Sequence, residues 1–405
     1  MPGTGRTYYI AGAGISGLTL ALALAKFGAK VVVLERGPTI SEFGAGLQIS
    51  PNARKILNNL GLDEVLGSHS LEPDGIDIYP YLRPDPLVTL ELGAIMRERF
   101  GAPYAVMHRA DLADLLYRAC RRFANIDILF GVRSWRVESH ERGVTVSIDE
   151  ANGQTRTGRG LAFIGADGVH SRTRIEVIGG PRARYWQRVA WRTLLPFDSV
   201  AGQLALDRVS VLFAPGSHLV CYPLPHRRQV NLALFAKGAE TTGELGTRPQ
   251  APWSDSQGSR IEVLLSAAAD TWTPWPLYTV RTDTWHSGNI GLIGDAAHAM
   301  VPFQAQGAAM GIEDAAALAP LLIAEASAET AFQKYYGQRH ARVARVAALS
   351  ATNGRIFHMR WPLSVARNLA IAAQGRRGHL RRLAWLYGYE GQIEAAPISA
   401  RKASK

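Results

Sequence analysis

Three glycines near the start of the chain, Gly12, Gly14 and Gly17, carry the spacing G-x-G-x-x-G, which lets a backbone lie against an anion. The first permits a tight turn, the second admits a pyrophosphate, and the third lets the following helix pack close to its strand. The flanking residues complete a unit. Tyr8, Tyr9, Ile10 and Ala11 read as a short buried strand, Ile15 and Ser16 open an alanine- and leucine-rich helix reaching about Phe27, and Lys30–Leu34 reads as a second, β-branched strand. The helix start therefore presents free N–H groups and a partial positive charge to phosphates. Glu35, eighteen residues after Gly17 and followed by Arg36, stands where an acid accepts hydrogen bonds from ribose hydroxyls. Strand, glycines, helix, strand and acid in register imply a bound adenine dinucleotide rather than a bare βαβ unit.

Two later strand ends carry related chemistry. Residues 161–164 run into Gly165-Ala166-Asp167-Gly168-Val169-His170-Ser171-Arg172, where glycines around an aspartate make a tight connection open to a ligand. A strand-to-helix turn capped by Ser171 or Asp167 accounts for the same residues. Residues 289–293 end in Gly294-Asp295-Ala296-Ala297-His298, and Pro302, Phe303 and Gln304 to Gly307 then lead into a long apolar helix over about 308–326.

The elements that must position these turns read as follows. Residues 52–60 form a helix stopped by Gly61, and residues 71–100 alternate like antiparallel strands around prolines. Leu112, Leu115, Leu116 and Ala119 share one face of a helix over 110–123. Residues 127–130 resume strand, and 135–139 with 144–149 make a β-meander turning at Asn152-Gly153. Four strand-like stretches between 185 and 235 imply a second, antiparallel domain; 238–258 read as a loop, and 259–268 as a helix. The remainder is helical and basic, with a disordered end.

Bulk properties exclude several classes. At 405 residues the chain holds two to three domains. Its net charge of +11 comes from scattered arginines, densest at Arg376, Arg377, Arg381 and Arg382, without a zinc, helix-turn-helix or RNA-binding pattern, so nucleic acid is not expected. Cys120 and Cys221 lie far apart, form no metal pattern and suit a reducing compartment. No run approaches eighteen apolar residues and the first strand begins too early for a signal peptide, so neither stable membrane insertion nor export is expected and the location read is cytoplasmic. The mixed basic and apolar residues 367–385 read as a solvated helical face, with a homodimer or membrane-surface contact left open.

With Gly12-x-Gly14-x-x-Gly17, Gly165-Ala166-Asp167-Gly168-x-x-Ser171-x-x-Arg174 and Gly294-Asp295-Ala296-Ala297-His298 in that order, the chain resembles the single-component FAD-dependent aromatic hydroxylases, the para-hydroxybenzoate hydroxylase superfamily. Gly44-Ala45-Gly46-Leu47-Gln48, Pro51-Asn52-Ala53 and Gln306-Gly307-Ala308 look most like its salicylate hydroxylase branch. The resemblance implies an α/β fold: a Rossmann-like FAD-binding domain, a mainly antiparallel substrate domain and a helical C-terminus. FAD binding falls to residues 1–70, 101–180 and 275–355, the substrate domain to 71–100 and 181–274, and the basic C-terminal segment to 356–405.

It also implies roles. Non-covalent FAD is held at its ADP half by Gly12, Gly14, Ile15, Ser16, Gly17, Glu35 and Arg36, with Arg109 near the pyrophosphate and Asp295 on the ribityl chain. Asp167 is linked to FAD and the nicotinamide cofactor, and Gln48 borders the site without an assigned role. The helix start at Gln306, Gly307 and Ala308 offers N–H donors and a positive dipole end to the charge of a reduced flavin near N1 and the C2 carbonyl. NADH or NADPH is the reductant, with no second fingerprint to choose between them.

The substrate segment is 215–223, Pro-Gly-Ser-His-Leu-Val-Cys-Tyr-Pro, similar to the strand bearing an active-site histidine and tyrosine in the salicylate hydroxylase branch. Alternation puts His218, Val220 and Tyr222 on one face, with His218 and Tyr222 ~13 Å apart so that they flank a ring. An imidazole of pKa ~6.5 can take a phenolic proton, and Tyr222 can hydrogen-bond a carboxylate or hydroxyl. A turn histidine and a core tyrosine are the plainer reading. Pro302 and Phe303 shape the pocket wall, and His298 supports the loop beside Asp295. The resulting expectation is a monooxygenase that uses NAD(P)H, O₂ and a C4a-hydroperoxyflavin on a small, anionic phenolic acid of hydroxybenzoate, salicylate or hydroxynicotinate type, with or without decarboxylation. A larger polyketide or quinone-type substrate is the alternative, and a non-catalytic FAD-binding protein the reading that intact glycines and aspartates disfavour.

Overall fold

Strands that are apolar throughout build the first layer of the computed structural model, which describes residues 1–40, 46–200, 202–240, 259–269 and 271–391. A six-stranded sheet runs His286–Ser287, Ile290–Leu292, Ala162–Gly165, Thr7–Ala11, Lys30–Leu34, Ile126–Leu129. All neighbours are parallel except the edge pair of His286–Ser287 with Ile290–Leu292. Such a sheet must be covered on both faces. Tyr8, Ile10, Val31 and Val33 pack into the core that includes helices Ile15–Lys26 and Gly307–Ala324. Tyr9, Val32, Leu34 and Phe163 pack on the other side against a meander of Ser134–His140, Gly143–Asp149 and Thr155–Gly160.

The second layer is a seven-stranded sheet in the order Thr273–Thr279, Arg184–Pro196, Gln229–Lys237, Ser217–Leu224, Arg208–Ala214, Gly75–Tyr79, Val88–Glu91. It is antiparallel except where Gly75–Tyr79 meets Arg208–Ala214. One face, with Leu219, Cys221, Leu232 and Leu234, packs under helix Arg260–Ala268. The other carries the alternate residues of the same strands toward the first layer.

Two sequence expectations need correction. Residues 93–100 form helix Gly93–Phe100 rather than strand, because the alternation stops at Glu91 and Met96 and Phe100, four apart, are buried on one helical face. The second sheet extends past residue 274 to Thr279; its Pro274 and Pro276 are tolerated because the strand lies at an edge. Helix Gly307–Ala324 is long and apolar enough to cross a membrane by length and composition alone, but 67% of it is buried in the protein. Most of the expected 238–258 loop and the expected disordered end lie outside the described residues.

That helix carries Glu313 and Asp314, both fully buried, and their partners identify it as a core element. Arg339 of helix Ala328–Phe357 pairs with Glu313 and, at 2.9 Å, with Asp314. Arg342 reaches Glu313 at 2.7 Å, and Asn52 Nδ2 donates to it at 2.7 Å. Asp314 also accepts from the Gly294 N–H at 2.9 Å and lies 2.6 Å from His298 Nε2. Burial works to raise the Asp314 pKa, but His298, Arg339 and the Gly294 N–H together hold it down at about 2. Because this lies below the unfolded value of about 3.9, its stabilisation is complete above that pH and is lost as the pH falls toward about 2. Asp314→Ala, which leaves Arg339 short of a buried partner, is expected to cost about 3–5 kcal/mol in denaturant unfolding at neutral pH. The difference from the parent should shrink as the pH falls from about 4 toward 2.

Candidate active site

The three glycine turns converge because their backbones leave no room for side chains. A Cβ on Gly12, whose φ is +101°, would stand 2.5 Å from the Ala166 carbonyl oxygen, and one on Gly17 would stand 2.0 Å from that of Gly12. Ser16 fills the gap between the other two elements: Cβ atoms on Gly294 and Gly311 would meet its Oγ at 2.5 and 2.0 Å. Glu35 holds the first turn from behind, accepting from the Ala13 N–H at 2.9 Å and the Gly37 N–H at 2.7 Å. Each carboxylate oxygen keeps a further lone pair.

The two motif aspartates differ. Asp167 accepts from the Ser171 hydroxyl, at 2.5 Å, and from the Thr173 N–H and hydroxyl, each at 2.9 Å, so its carboxylate is taken up by the turn it begins. Arg174 ties that turn to the third motif by donating to the Ala296 carbonyl at 2.8 Å. Asp295 is exposed toward a cavity.

That cavity, of about 1070 Å³, lies between the two layers. Gly14, Ile15, Ser16, Gln48, Arg109, Asp295, Gly307 and Ala308 face it from the first layer and the loops above it; His218, Tyr222, Pro302 and Phe303 face it as well. Gly12, Gly17, Glu35, Arg36, Asp167 and Gln306 are not part of this lining, and Arg36 is exposed. The Gln306 side chain is held within the protein: its Nε2 donates to Ser50 at 2.9 Å and its Oε1 accepts from Asn52 at 3.1 Å. It fixes the helix start, and what it leaves for a ligand is backbone. At Gly307 a Cβ would meet nothing within 4 Å, so the helix end opens onto free space.

On the second layer, Ser217–Leu224 is regular, and His218, Val220 and Tyr222 all line the cavity. His218 is sandwiched by aromatics: Phe235 stacks on it at 4.7 Å, with Phe303 and Phe357 edge-on at 5.5 and 5.2 Å. Its Nδ1 lies 2.8 Å from Nε2 of His358, which follows helix Ala328–Phe357. Burial, then His358 and Arg188, drive the His218 pKa well below the usual 6.5, and burial with Arg188 and Arg367 lowers His358 to about 3. The pair is therefore neutral at physiological pH, and one ring must donate to the other. Tyr222 packs on Gly46, where a Cβ would meet its ring at 2.3 Å, and burial raises its pKa.

Sequence reading missed His358, Arg192 and Asn231. Arg192, on Arg184–Pro196, lines the cavity with its Nε buried and without a partner. Burial lowers its pKa, opposed by Tyr222 and reinforced by Arg109. Its signal was a charge interrupting an apolar strand. Asn231 accepts from the Gly46 N–H at 2.7 Å and joins the strand bearing Gln48 to the second sheet. His358 had no signal, since 140 residues separate it from His218.

An elongated groove with a glycine turn at a helix start, a free acid and a second open helix start suits a flavin dinucleotide. Comparison with known proteins decides the matter: the profile of the FAD binding domain family matches residues 7–350. The chain belongs to this family. It is 32% identical to 3-hydroxybenzoate 6-hydroxylase 1 of Aquipseudomonas alcaligenes, over 94% of this chain and 97% of that protein. Its fold matches Klebsiella pneumoniae HpxO complexed with FAD and uric acid (TM-score 0.80, 22% identity, 94% and 96% of the two chains). It also matches a salicylate hydroxylase substrate complex (TM-score 0.75, 21% identity, 98% and 100%). FAD is the cofactor, and the protein is a flavin-dependent aromatic monooxygenase of the NAD(P)H-using kind.

Two glycines separate fold from ligand. Gly17→Ala drives a Cβ into the Gly12 carbonyl, so both the melting temperature and the FAD content of the purified protein should fall. Gly307→Ala meets open space, so stability of the FAD-free protein should stay within about 0.5 kcal/mol. Its effect should appear as weaker FAD retention in a fluorescence titration.

Proposed function

We propose that the protein hydroxylates a phenolic aromatic acid of the hydroxybenzoate, salicylate or hydroxynicotinate type, with NADH or NADPH as reductant. The observation that carries this reading is one cavity bounded by Asp295 and the Gly307 helix start and also by His218, Tyr222 and the partnerless Arg192 Nε. Residues 1–70, 101–180 and 280–355 hold FAD, and the seven-stranded sheet supplies the substrate wall. Reduced FAD, when bound, supplies the activated oxygen from O₂.

The chain's own groups do the rest. Gly14, Ser16 and Arg109 receive the pyrophosphate region, and Asp295 receives hydroxyls of the sugar chain. Gly307 and Ala308 offer N–H groups to flavin negative charge. Pro302 and Phe303 exclude water. Arg192, whose buried Nε has no hydrogen-bond partner, gives the substrate carboxylate a charge-assisted partner.

His218 faces the phenol as a neutral imidazole. A base held so far below its usual pKa does not take a phenolic proton readily, which modifies the simple expectation of an imidazole near pKa ~6.5. A carboxylate in the same cavity opposes the fields of Arg188 and His358 and restores basicity. If Nδ1 of His218 donates to His358, Nε2 is the acceptor available to the substrate.

Two variants test this. His218→Ala should cut oxygen incorporation by about 10²-fold or more while FAD stays bound, as read by product mass and the flavin spectrum; undiminished turnover at saturating substrate would sink the assignment. His358→Phe removes a group that depresses His218, so the His218 pKa rises. The acid limb of kcat/KM, which needs neutral His218, should then move to higher pH.

A further inference from the structure

We propose that the substrate carries an apolar chain or second ring on its phenolic acid, and that a separate lobe of the cavity holds it; this rests on the function proposed above. The cavity does not stop at the strand that bears His218 and Tyr222. It continues along the same sheet face over Arg208–Ala214, Gly75–Tyr79 and Val88–Glu91, where Val209, Val211, Ile76, Ile78 and Leu90 line it. Three strand spacings carry it roughly 14 Å sideways, far beyond the reach of a hydroxyl or carboxyl group on a single ring.

The two halves of this face are chemically distinct. Arg184–Pro196, Gln229–Lys237 and Ser217–Leu224 contribute Arg192, Asn231, His218 and Tyr222 to the lining, whereas the three strands beyond contribute only valine, isoleucine and leucine. The opposing wall is the C-terminal helix Leu363–Tyr387, with Leu363, Ala366, Ala370, Ile371 and Leu383. Three of its polar lining groups make contacts within the protein. Arg367 stands 4.3 Å over the Phe213 ring and donates to the Phe357 carbonyl at 2.9 Å. His379 lies 3.3 Å from the Ile371 carbonyl, and Arg382 donates to Gln374 at 3.4 Å. An apolar group gains by leaving water for such a lobe, whereas a polar one finds no partner along its sheet side. A ring anchored by Arg192 and His218 therefore reaches the lobe only through an apolar substituent.

The test uses the purified FAD enzyme with 3-hydroxybenzoate and salicylate, each with and without an n-hexyl group on the ring. NADH and NADPH oxidation, and product mass for one added oxygen, are followed. The expected result is a KM at least about 10-fold lower for one or more hexyl compounds than for its parent, with oxygen incorporated. Ile78→Trp, which fills the lobe from the sheet, should abolish that ratio. Ala370→Trp does the same from the exposed helical wall should the first variant fail to fold. Parent acids hydroxylated as well as or better than every hexyl compound would overturn the lobe while leaving the proposed function standing. A hexyl advantage that persists in both variants would also overturn it. If no acid of either kind gains oxygen, the proposed function fails and the lobe inference with it.

Discussion

The buried ion network of Glu313, Asp314, Arg339 and Arg342, with His298 hydrogen-bonded to it, is the constraint on which the site depends. Charges so deep carry a desolvation penalty of several kcal/mol each, so the network is retained only where every member is paired. Its geometry does more than pair charges. Asp314 holds the Gly294 N–H and His298, which fixes the turn that presents Asp295. Glu313 holds Asn52, and Asn52 holds Gln306, so the helix start at Gly307 is tied to helix Pro51–Asn59 through side chains alone. An alternative packing of these helices would strand at least one charge, and that penalty specifies one arrangement.

The glycine turns depend on this rigidity. Gly12, Gly17, Gly294 and Gly311 are close approaches in which backbone or Ser16 occupies the space a Cβ would need. Gly307 is the exception, packed against nothing. The same residue type thus does two jobs in one wall, closing the turns to each other and opening the helix end to a ligand.

The first layer was legible in the sequence because its signals are local. The strand from residue 30 to 34 was read with the bounds it has, and the helix after Gly14 ended one residue from its expected stop. The residues on one face of Ser217–Leu224 followed from period two. Legibility failed where partners are remote. Gln306 belongs to a motif, yet its side chain answers to Ser50 and Asn52, more than 250 residues away, whereas the local turn of Asp167 with Ser171 was open to reading. His358 meets His218 only because helix Ala328–Phe357 returns across the sheet, and nothing in a short window encodes that. Residues 93–100 were lost to a pattern extended past its end, where two buried residues four apart outweighed the alternation before them.

The excess positive charge of the chain takes on a local meaning in the cavity. Among the described residues its lining holds one acid, Asp295, against Arg109, Arg192, Arg367 and Arg382. A field of that sign draws anions in. Burial, then His358 and Arg188 outside this lining, hold the His218 pKa down and the ring neutral. Under the function proposed above, selection for an anionic substrate and activation of the base become one electrostatic event: the carboxylate that the arginines attract would also be the charge that lets His218 accept a proton. On the same proposal, a neutral phenol entering this space would find the imidazole still suppressed, so discrimination against it would arise at the chemical step as well as in binding.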